Sequence, residues 1–501
     1  MKENTCNVND FLESTIVKEC VEKVLSLKDK QFSDVVDKEG HQYVHLVQKG
    51  GGMLGIALLG YTYILETLGI RFLKTAGTSA GAINTALITI MGDKSEAKSV
   101  KILEKICKAD FFDFVDGNFI FKFFFKLFIS NKKRIDHLKK KYSKILTWTV
   151  CLILLAPFMG DLIFLGIRRA YPQYLDYALL SFEFSGLILL ILILTVSFSL
   201  ALFHKLKNAG YGINPGDAFW DWLNRIFDEY GILDLDQLEE KAMKAPEDME
   251  VRLEISENWK RADKAIYDES KLAGGIILIT TELVTQNKIQ LPEMKDLFWS
   301  KEDQMTHKPA DLVRASMAIP LFFESFYVPN IQTIPDIDEK WKKTFGIEKA
   351  PESARLVDGG VLSNFPISIF YERKVTVPRL PVFGINLDDS KTEADLDKNR
   401  MNTLSQKEKT NAENNPKNWN LGDYAGKIFA AAQNNSDNDF LQKNRAFGLG
   451  VGTVPLNDFN YLNFAMSNEE KIRLFEVGAR AATKFLIAFD WKDYKDKRAK
   501  I

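Results

Sequence analysis

The stretch LKTAGTSAGAINTAL, Leu73 to Leu87, sets a serine between two glycines where an apolar run gives way to small, helix-forming residues. FLKTAG (72–77) suits a buried strand, and AGAINTALITIM suits a helix opening with small side chains. Gly77 and Gly81 clear room for a sharp turn that holds Ser79 at the C-terminal edge of a sheet. The N-terminus of the following helix offers unpaired amides that favour developing negative charge. Further apolar runs of strand length lie at YVHLV (43–47), GGIILITTEL (274–283), ARLVDGG (354–360) and LPVFGINLDD (380–389). Helical stretches lie between them, as at 55–69 and 215–231, and an amphipathic helix is expected over 468–489. The alternation predicts an α/β fold with a mostly parallel sheet and helices on both faces.

Composition excludes several classes. The 501 residues carry 66 basic and 67 acidic side chains, a balance that gives no signature of a nucleic-acid partner. Cys6, Cys20, Cys107 and Cys151 are widely spaced and contain no CxxC pair. That fits a reducing compartment and argues against a disulfide framework or a zinc ribbon. The opening MKENTCNVNDFLESTIVKEC lacks the apolar core of a secretory signal, so the catalytic part is expected in the cytoplasm. The polar stretch 388–420 reads as a surface excursion.

Two apolar runs stand out, ILTWTVCLILLAPFMGDLIFLGI (145–167) and GLILLILILTVSFSLALF (186–203). Each approaches or reaches the roughly 18–20 apolar residues that span a bilayer. NKKRIDHLKKKYSK precedes the pair with seven Lys or Arg, Lys205 and Lys207 follow it, and the connection holds only Arg168 and Arg169. The positive-inside rule then predicts a transmembrane hairpin, multi-pass with two helices and both ends cytoplasmic; buried core helices are the alternative. Asp161 and Glu183 keep a pore reading open, although they fall near the hairpin turn. Just upstream, residues 111–134 interleave phenylalanine with lysine, as an interfacial segment does.

A nucleophilic serine needs a base and an oxyanion hole. KGGGMLG (Lys49 to Gly55) follows the first strand, and successive glycines let backbone amides converge on one point. It lacks the closing Gly-Lys-Ser/Thr of a P-loop and the spacing of a dinucleotide loop. The histidines are His41, His45, His137, His204 and His307. Only the last three follow Ser79; two flank the hairpin and His307 sits in a polar stretch, so a Ser–Asp–His order is not expected. HQYVH (41–45) lacks the glutamate of a zinc helix. A carboxylate remains. LVDGGVLSNFP (Leu356 to Pro366) ends a strand on Asp358, and Gly359 and Gly360 let the chain turn away, leaving the aspartate exposed at the same edge.

These residues resemble the patatin-like phospholipases, serine lipid acyl hydrolases with a Ser–Asp dyad. Gly50–Gly51–Gly52 with Gly55, GTSAG with Ser79, and DGG with Asp358 match in the family's order. VRASMAIPLFFESF (313–326), Asn364 and Pro366 add softer matches, over roughly 43–390 less the hairpin. Two features depart from the family: Leu54 stands where an Arg or Lys is common, and the hairpin is an insertion, after which GYGINPGDAFWDWL resumes the pattern.

The resemblance implies a three-layer α/β/α domain at 43–144 and 204–390, with an N-terminal helical segment (1–42), the inserted hairpin (145–203), and a polar excursion with C-terminal helix (391–501). It implies that Asp358 deprotonates Ser79, that amides of Gly50, Gly51, Gly52 and Ala80 hold the oxyanion, and that no metal or cofactor takes part. Arg314 is expected to be structural, and Ser316 and Ser363 to be turn or core serines. The expected activity is membrane-attached hydrolysis of phospholipid or other lipid esters. Acyl transfer to a second lipid, or an inactive membrane-tethered binding protein, are the alternatives.

Overall fold

A computed structural model describes residues 6–117, 175–208, 210–252, 272–372, 377–389 and 439–499, with single residues 122, 375, 391, 393, 396 and 437 between them. The first apolar run (145–167), most of the phenylalanine–lysine segment and most of the polar excursion lie outside these residues. Two compact units are distinguished, Met1–Asp116 with Asn214–Ile501, and Gly117–Ile213.

The first unit is built on one sheet. Its strands are β1 (Val35–Val36), β2 (Gln42–Gln48), β3 (Ile70–Thr78), β4 (Glu250–Val251), β5 (Gly275–Glu282), β6 (Asn287–Leu291), β7 (Phe326–Val328), β8 (Ala354–Asp358), β9 (Val382–Asp388) and β10 (Val451–Pro455). The order is β10–β9–β2–β3–β5–β8–β7. The neighbours from β10 to β5 pair in parallel, whereas β8 pairs antiparallel with both β5 and β7. All five expected strands are present. The parallel ones are buried almost throughout, which is why they read as continuous apolar runs rather than as alternation.

The helices that matter below are α1 (Thr15–Leu25), α2 (Gly55–Thr67), α3 (Ala80–Ile90), α4 (Ser99–Lys108), α5 (Leu175–Asn208), α6 (Asp217–Glu229), α7 (Pro309–Ser316), α8 (Asn468–Ala488) and α9 (Trp491–Arg498). α8 starts on a capping box: the Ser467 hydroxyl accepts from the Glu470 amide at 3.2 Å, and the Glu470 carboxylate accepts from the Ser467 amide at 3.1 Å. α2 and α8 cross in close contact. A Cβ on Gly60 would lie 2.1 Å from the Phe475 carbonyl oxygen, and one on Gly478 would lie 2.0 Å from that of Ala57. Glycine is what lets the two backbones meet. Beyond α8, the fully buried Asp34 accepts from the Trp491 indole at 2.6 Å and the Lys495 ammonium at 2.9 Å. The pairing ties α9 to the start of the sheet.

The expected two-helix membrane span is not borne out. Its first arm lies outside the described residues, so no hairpin is described, and among the described residues no helix is long and apolar enough to cross a membrane. The second run does form a helix, α5, in the second unit. Its described apolar side chains are exposed, from 45% at Leu192 to 71% at Phe198.

Gly60→Ala and Gly478→Ala are each expected to lower stability by about 1–3 kcal/mol, because a methyl group must push two backbones apart. The measurement is the urea midpoint with the slope unchanged; no shift in either variant would mean that the crossing is loose.

Candidate active site

Strand register brings the two residues of the expected dyad, Ser79 and Asp358, to one edge of the sheet. In the parallel β3–β5 pair Thr78 faces Ile279, and in the antiparallel β5–β8 pair Thr280 faces Asp358. Ser79, one residue past Thr78, is thus level with Thr280 and with the end of β8. The aspartate arrives on a strand running against the others, which a mostly parallel reading did not anticipate.

Ser79 has φ 53° and ψ −120°, a left-handed conformation costing a non-glycine residue about 1–3 kcal/mol. Its surroundings impose it. A Cβ on Gly77 would lie 2.3 Å from the Gly81 carbonyl oxygen, and one on Gly81 would lie 2.4 Å from that of Gln48, so both positions need glycine for the helix to pack on β2 and β3. The Ser79 amide donates to the Ser316 hydroxyl at 3.2 Å, which donates to the Ile279 carbonyl at 2.6 Å. The Thr78 hydroxyl donates to the Ser363 carbonyl at 3.0 Å. Ser316 and Ser363 are buried, as expected, and they also brace the turn.

Asp358 is only 7% exposed, not open at the edge as expected. Its carboxylate accepts from the Gly360 amide at 2.7 Å. Burial raises its pKa to about 6, against the opposing effect of the neighbouring Ser79 side chain and the Gly360 amide. The charged form is thereby made a stronger base while remaining available near neutral pH.

The glycine loop packs directly on the serine. A Cβ on Gly50 would lie 2.3 Å from the Asn364 side-chain oxygen and 3.1 Å from the Ser79 Cβ. The Gly50 amide donates to the Asn364 carbonyl at 3.0 Å, which corrects its expected place among the oxyanion donors. Gly51, Gly52 and Ala80 have no backbone acceptor among the described residues. Gly52 has φ +54°, and a Cβ there would lie 2.5 Å from the Tyr461 carbonyl, which accepts from the Met53 amide at 3.0 Å. Leu54 is buried in this turn, and the Lys49 ammonium reaches Asn386 at 3.1 Å.

An apolar cavity of about 90 Å³ opens at Ser79. Ile83 and Leu87 of α3, Ile102 and Ile106 of α4, and Phe219 and Trp222 of α6 are among its walls. Phe111 and Phe114 also line it, so the described start of the phenylalanine–lysine segment packs within the first unit.

A family model described as Patatin-like phospholipase matches residues 46–371. The chain belongs to this family. A curated relative, the "Uncharacterized protein YqhO" of Bacillus subtilis (strain 168), is 22% identical over 448 residues, spanning 89% of this chain and 98% of the relative. Among solved structures, VipD from Legionella pneumophila aligns over 93% of this chain and 73% of its own at 12% identity, with a TM-score of 0.33. As a patatin-like phospholipase the chain is a lipid acyl hydrolase in the general sense.

The described histidines lie elsewhere. His41 contacts Asp37 and His307 contacts Asp311, each at 2.9 Å. His45, half-buried on β2, is held neutral, its pKa lowered to about 3 chiefly by desolvation. No cluster of metal-ligating side chains occurs among the described residues. Arg314 is buried, bonded to the Pro215 and Glu324 carbonyls and stacked over Phe323, a structural role.

Sequence reasoning missed Asp437. Its carboxylate accepts from the Ser363 hydroxyl at 2.9 Å and the Phe365 amide at 2.8 Å, clamping the segment that follows Asp358. Nothing in its polar surroundings marks it, and it lies beyond the span the family model matches. Asp437→Ala leaves two buried donors unsatisfied and is expected to cost about 1–3 kcal/mol of stability. Asp437→Asn, which keeps an acceptor, is expected to lose less; equal urea midpoints for all three proteins would show that the clamp is not formed.

Proposed function

We propose that the chain hydrolyses carboxylic esters of lipids through an acyl-Ser79 intermediate, with Asp358 as the base. The observation that carries this is the Ser79 hydroxyl held against a buried carboxylate of raised pKa, at the mouth of an apolar cavity. Asp358 takes the hydroxyl proton as Ser79 Oγ bonds to the ester carbonyl carbon. The amides of Gly51, Gly52 and Ala80 stabilise the oxyanion. When the carbon–oxygen bond to the alcohol breaks, protonated Asp358 gives the alcohol its proton. Asp358 then deprotonates a water that attacks the acyl-serine, and the carboxylic acid leaves as Ser79 Oγ regains the proton. The cavity offers an acyl chain a dry site, with hydrocarbon side chains from α3, α4 and α6.

A fluorophosphonate probe tests the dyad. A wild-type adduct that is absent in Ser79→Ala and forms about 10²–10⁴-fold more slowly in Asp358→Asn is the expected result. An adduct retained by Ser79→Ala would remove the assignment. Adding an acceptor alcohol to the turnover assay separates free acid from a transferred acyl product.

Burial of Asp358 fixes two pH dependences. Turnover is expected to rise through pH 6 as the carboxyl ionises in the folded protein. Stability runs the other way: a folded pKa raised from 3.8 to about 6 costs nothing below the unfolded value and up to about 3 kcal/mol above the folded one. Asp358→Asn is therefore expected to be the more stable protein at pH 8, and to lose that advantage at pH 4. A variant less stable at both pH values would contradict the buried charge.

Attachment to lipid is proposed through α5, whose exposed Leu194, Phe198 and Phe203 present hydrocarbon to the surroundings. Replacing the three by serine is expected to reduce sedimentation with phospholipid vesicles and turnover of vesicle lipid, while a short soluble ester is cleaved as before. Equal losses on both substrates would argue against this role.

A further inference from the structure

Cys6 and Cys107 lie 101 residues apart in sequence, yet their sulfurs stand 2.7 Å from each other at a partly exposed position. Cys107 is in the last turn of α4, the helix whose Ile102 and Ile106 line the cavity at Ser79. Cys6 sits just before the short helix Val8–Leu12, which packs beside α4 and α8. Two charged groups bear on both thiols, Lys471 of α8 favouring ionisation and Asp10 opposing it. The buried Lys471 ammonium also lies 4.7 Å from the ring centre of Phe111, another cavity wall. Sulfur pair, lysine and cavity wall are thus in one packed cluster.

We propose that Cys6 and Cys107 form a reversible disulfide that fastens the N-terminal segment to the wall of the cavity. The bond needs a two-electron oxidant, and a peroxide serves. The Cys6 thiolate attacks one peroxide oxygen, giving a sulfenic acid and, after protonation, water or the corresponding alcohol. The Cys107 sulfur then attacks the Cys6 sulfur, loses its proton and expels the hydroxyl as water, which closes the S–S bond. A dithiol reductant reverses the step by exchange. Cys6 is the better first nucleophile: its hydrogen bond with Cys107 and the Lys471 charge lower its pKa against the effect of burial, while the Cys107 thiol is raised. Cys20, fully inside α1 and raised by burial, is the internal control.

The cross-link tethers α4 by its C-terminal turn. Oxidation therefore limits how far Ile102 and Ile106 can swing aside for a long acyl chain, a consequence that rests on the hydrolase reading proposed above.

The test uses the full chain, freed of reductant and treated with one equivalent of hydrogen peroxide. Intact mass is expected to fall by two hydrogens, and peptide mapping to join Cys6 to Cys107 in wild type and in Cys20→Ser. Cys107→Ser should instead retain a sulfenic acid on Cys6. Peroxide that oxidises other thiols while this pair stays reduced, or a link joining either cysteine to Cys151, overturns the proposal. Oxidation is also expected to lower the ratio of long-chain to short-chain ester turnover in wild type but not in Cys107→Ser. A mapped cross-link with that ratio unchanged removes the effect on the cavity. Loss of all ester turnover in the reduced protein counts against the hydrolase reading, and the mapped link still decides the disulfide.

Discussion

Everything at the site hangs on the backbone ladder of β5. Its residues Gly275–Ile279 bond to β3 and its residues Thr280–Glu282 to β8, so one strand sets the heights of both dyad residues. A slip of one residue in either pairing would turn the side chains to the other face. Ser79 and Asp358 would then point to opposite sides of the sheet. Burial guards against such a slip, since β2, β3, β5 and β9 are buried almost throughout. Close approach completes the register: a Cβ on Gly359 would lie 2.2 Å from the Ile279 carbonyl oxygen, so the chain can leave β8 only across bare backbone.

Two unfavourable terms are concentrated on neighbouring residues. Ser79 carries backbone strain, and Asp358 carries a largely desolvated carboxylate. Each is offset by interactions made elsewhere: the Ser316, Thr78 and Ser363 contacts for the first, the Gly360 amide and Ser79 side chain for the second. The chemistry and the stability of the domain therefore pull against each other at one point, as is usual where a fold holds a reactive group.

Local chemistry made the central features legible in the sequence. GTSAG, DGG and GGG each carry glycines whose spacing is set by a close backbone approach, so the turn at Ser79, the end of β8 at Asp358 and the loop were readable from a few residues. The parallel strands were readable because burial on both faces leaves continuous apolar runs. Long-range contacts were not readable. The antiparallel course of β8 depends on what precedes it in space, and Asp437 looks like any polar residue until Ser363 and Phe365 are brought to it. Gly50 was misjudged for the same reason: a glycine loop shows that amides can converge but not which of them the Asn364 carbonyl has already taken. The hairpin reading rested on composition, which measures how apolar a run is and not what its helix meets.

The glycine loop at Gly50–Gly52 is shaped by the Tyr461 carbonyl, and α2 behind it is buttressed by α8. Both supports are encoded after the end of the span that the family model matches. A nascent chain emerging from the ribosome thus carries Ser79 and Asp358 well before it carries the residues that give their surroundings a fixed shape. Translation order acts as a delay: the site is finished only once synthesis has passed α8. A chain halted early is left with Ser79 but without the scaffold that shapes its surroundings.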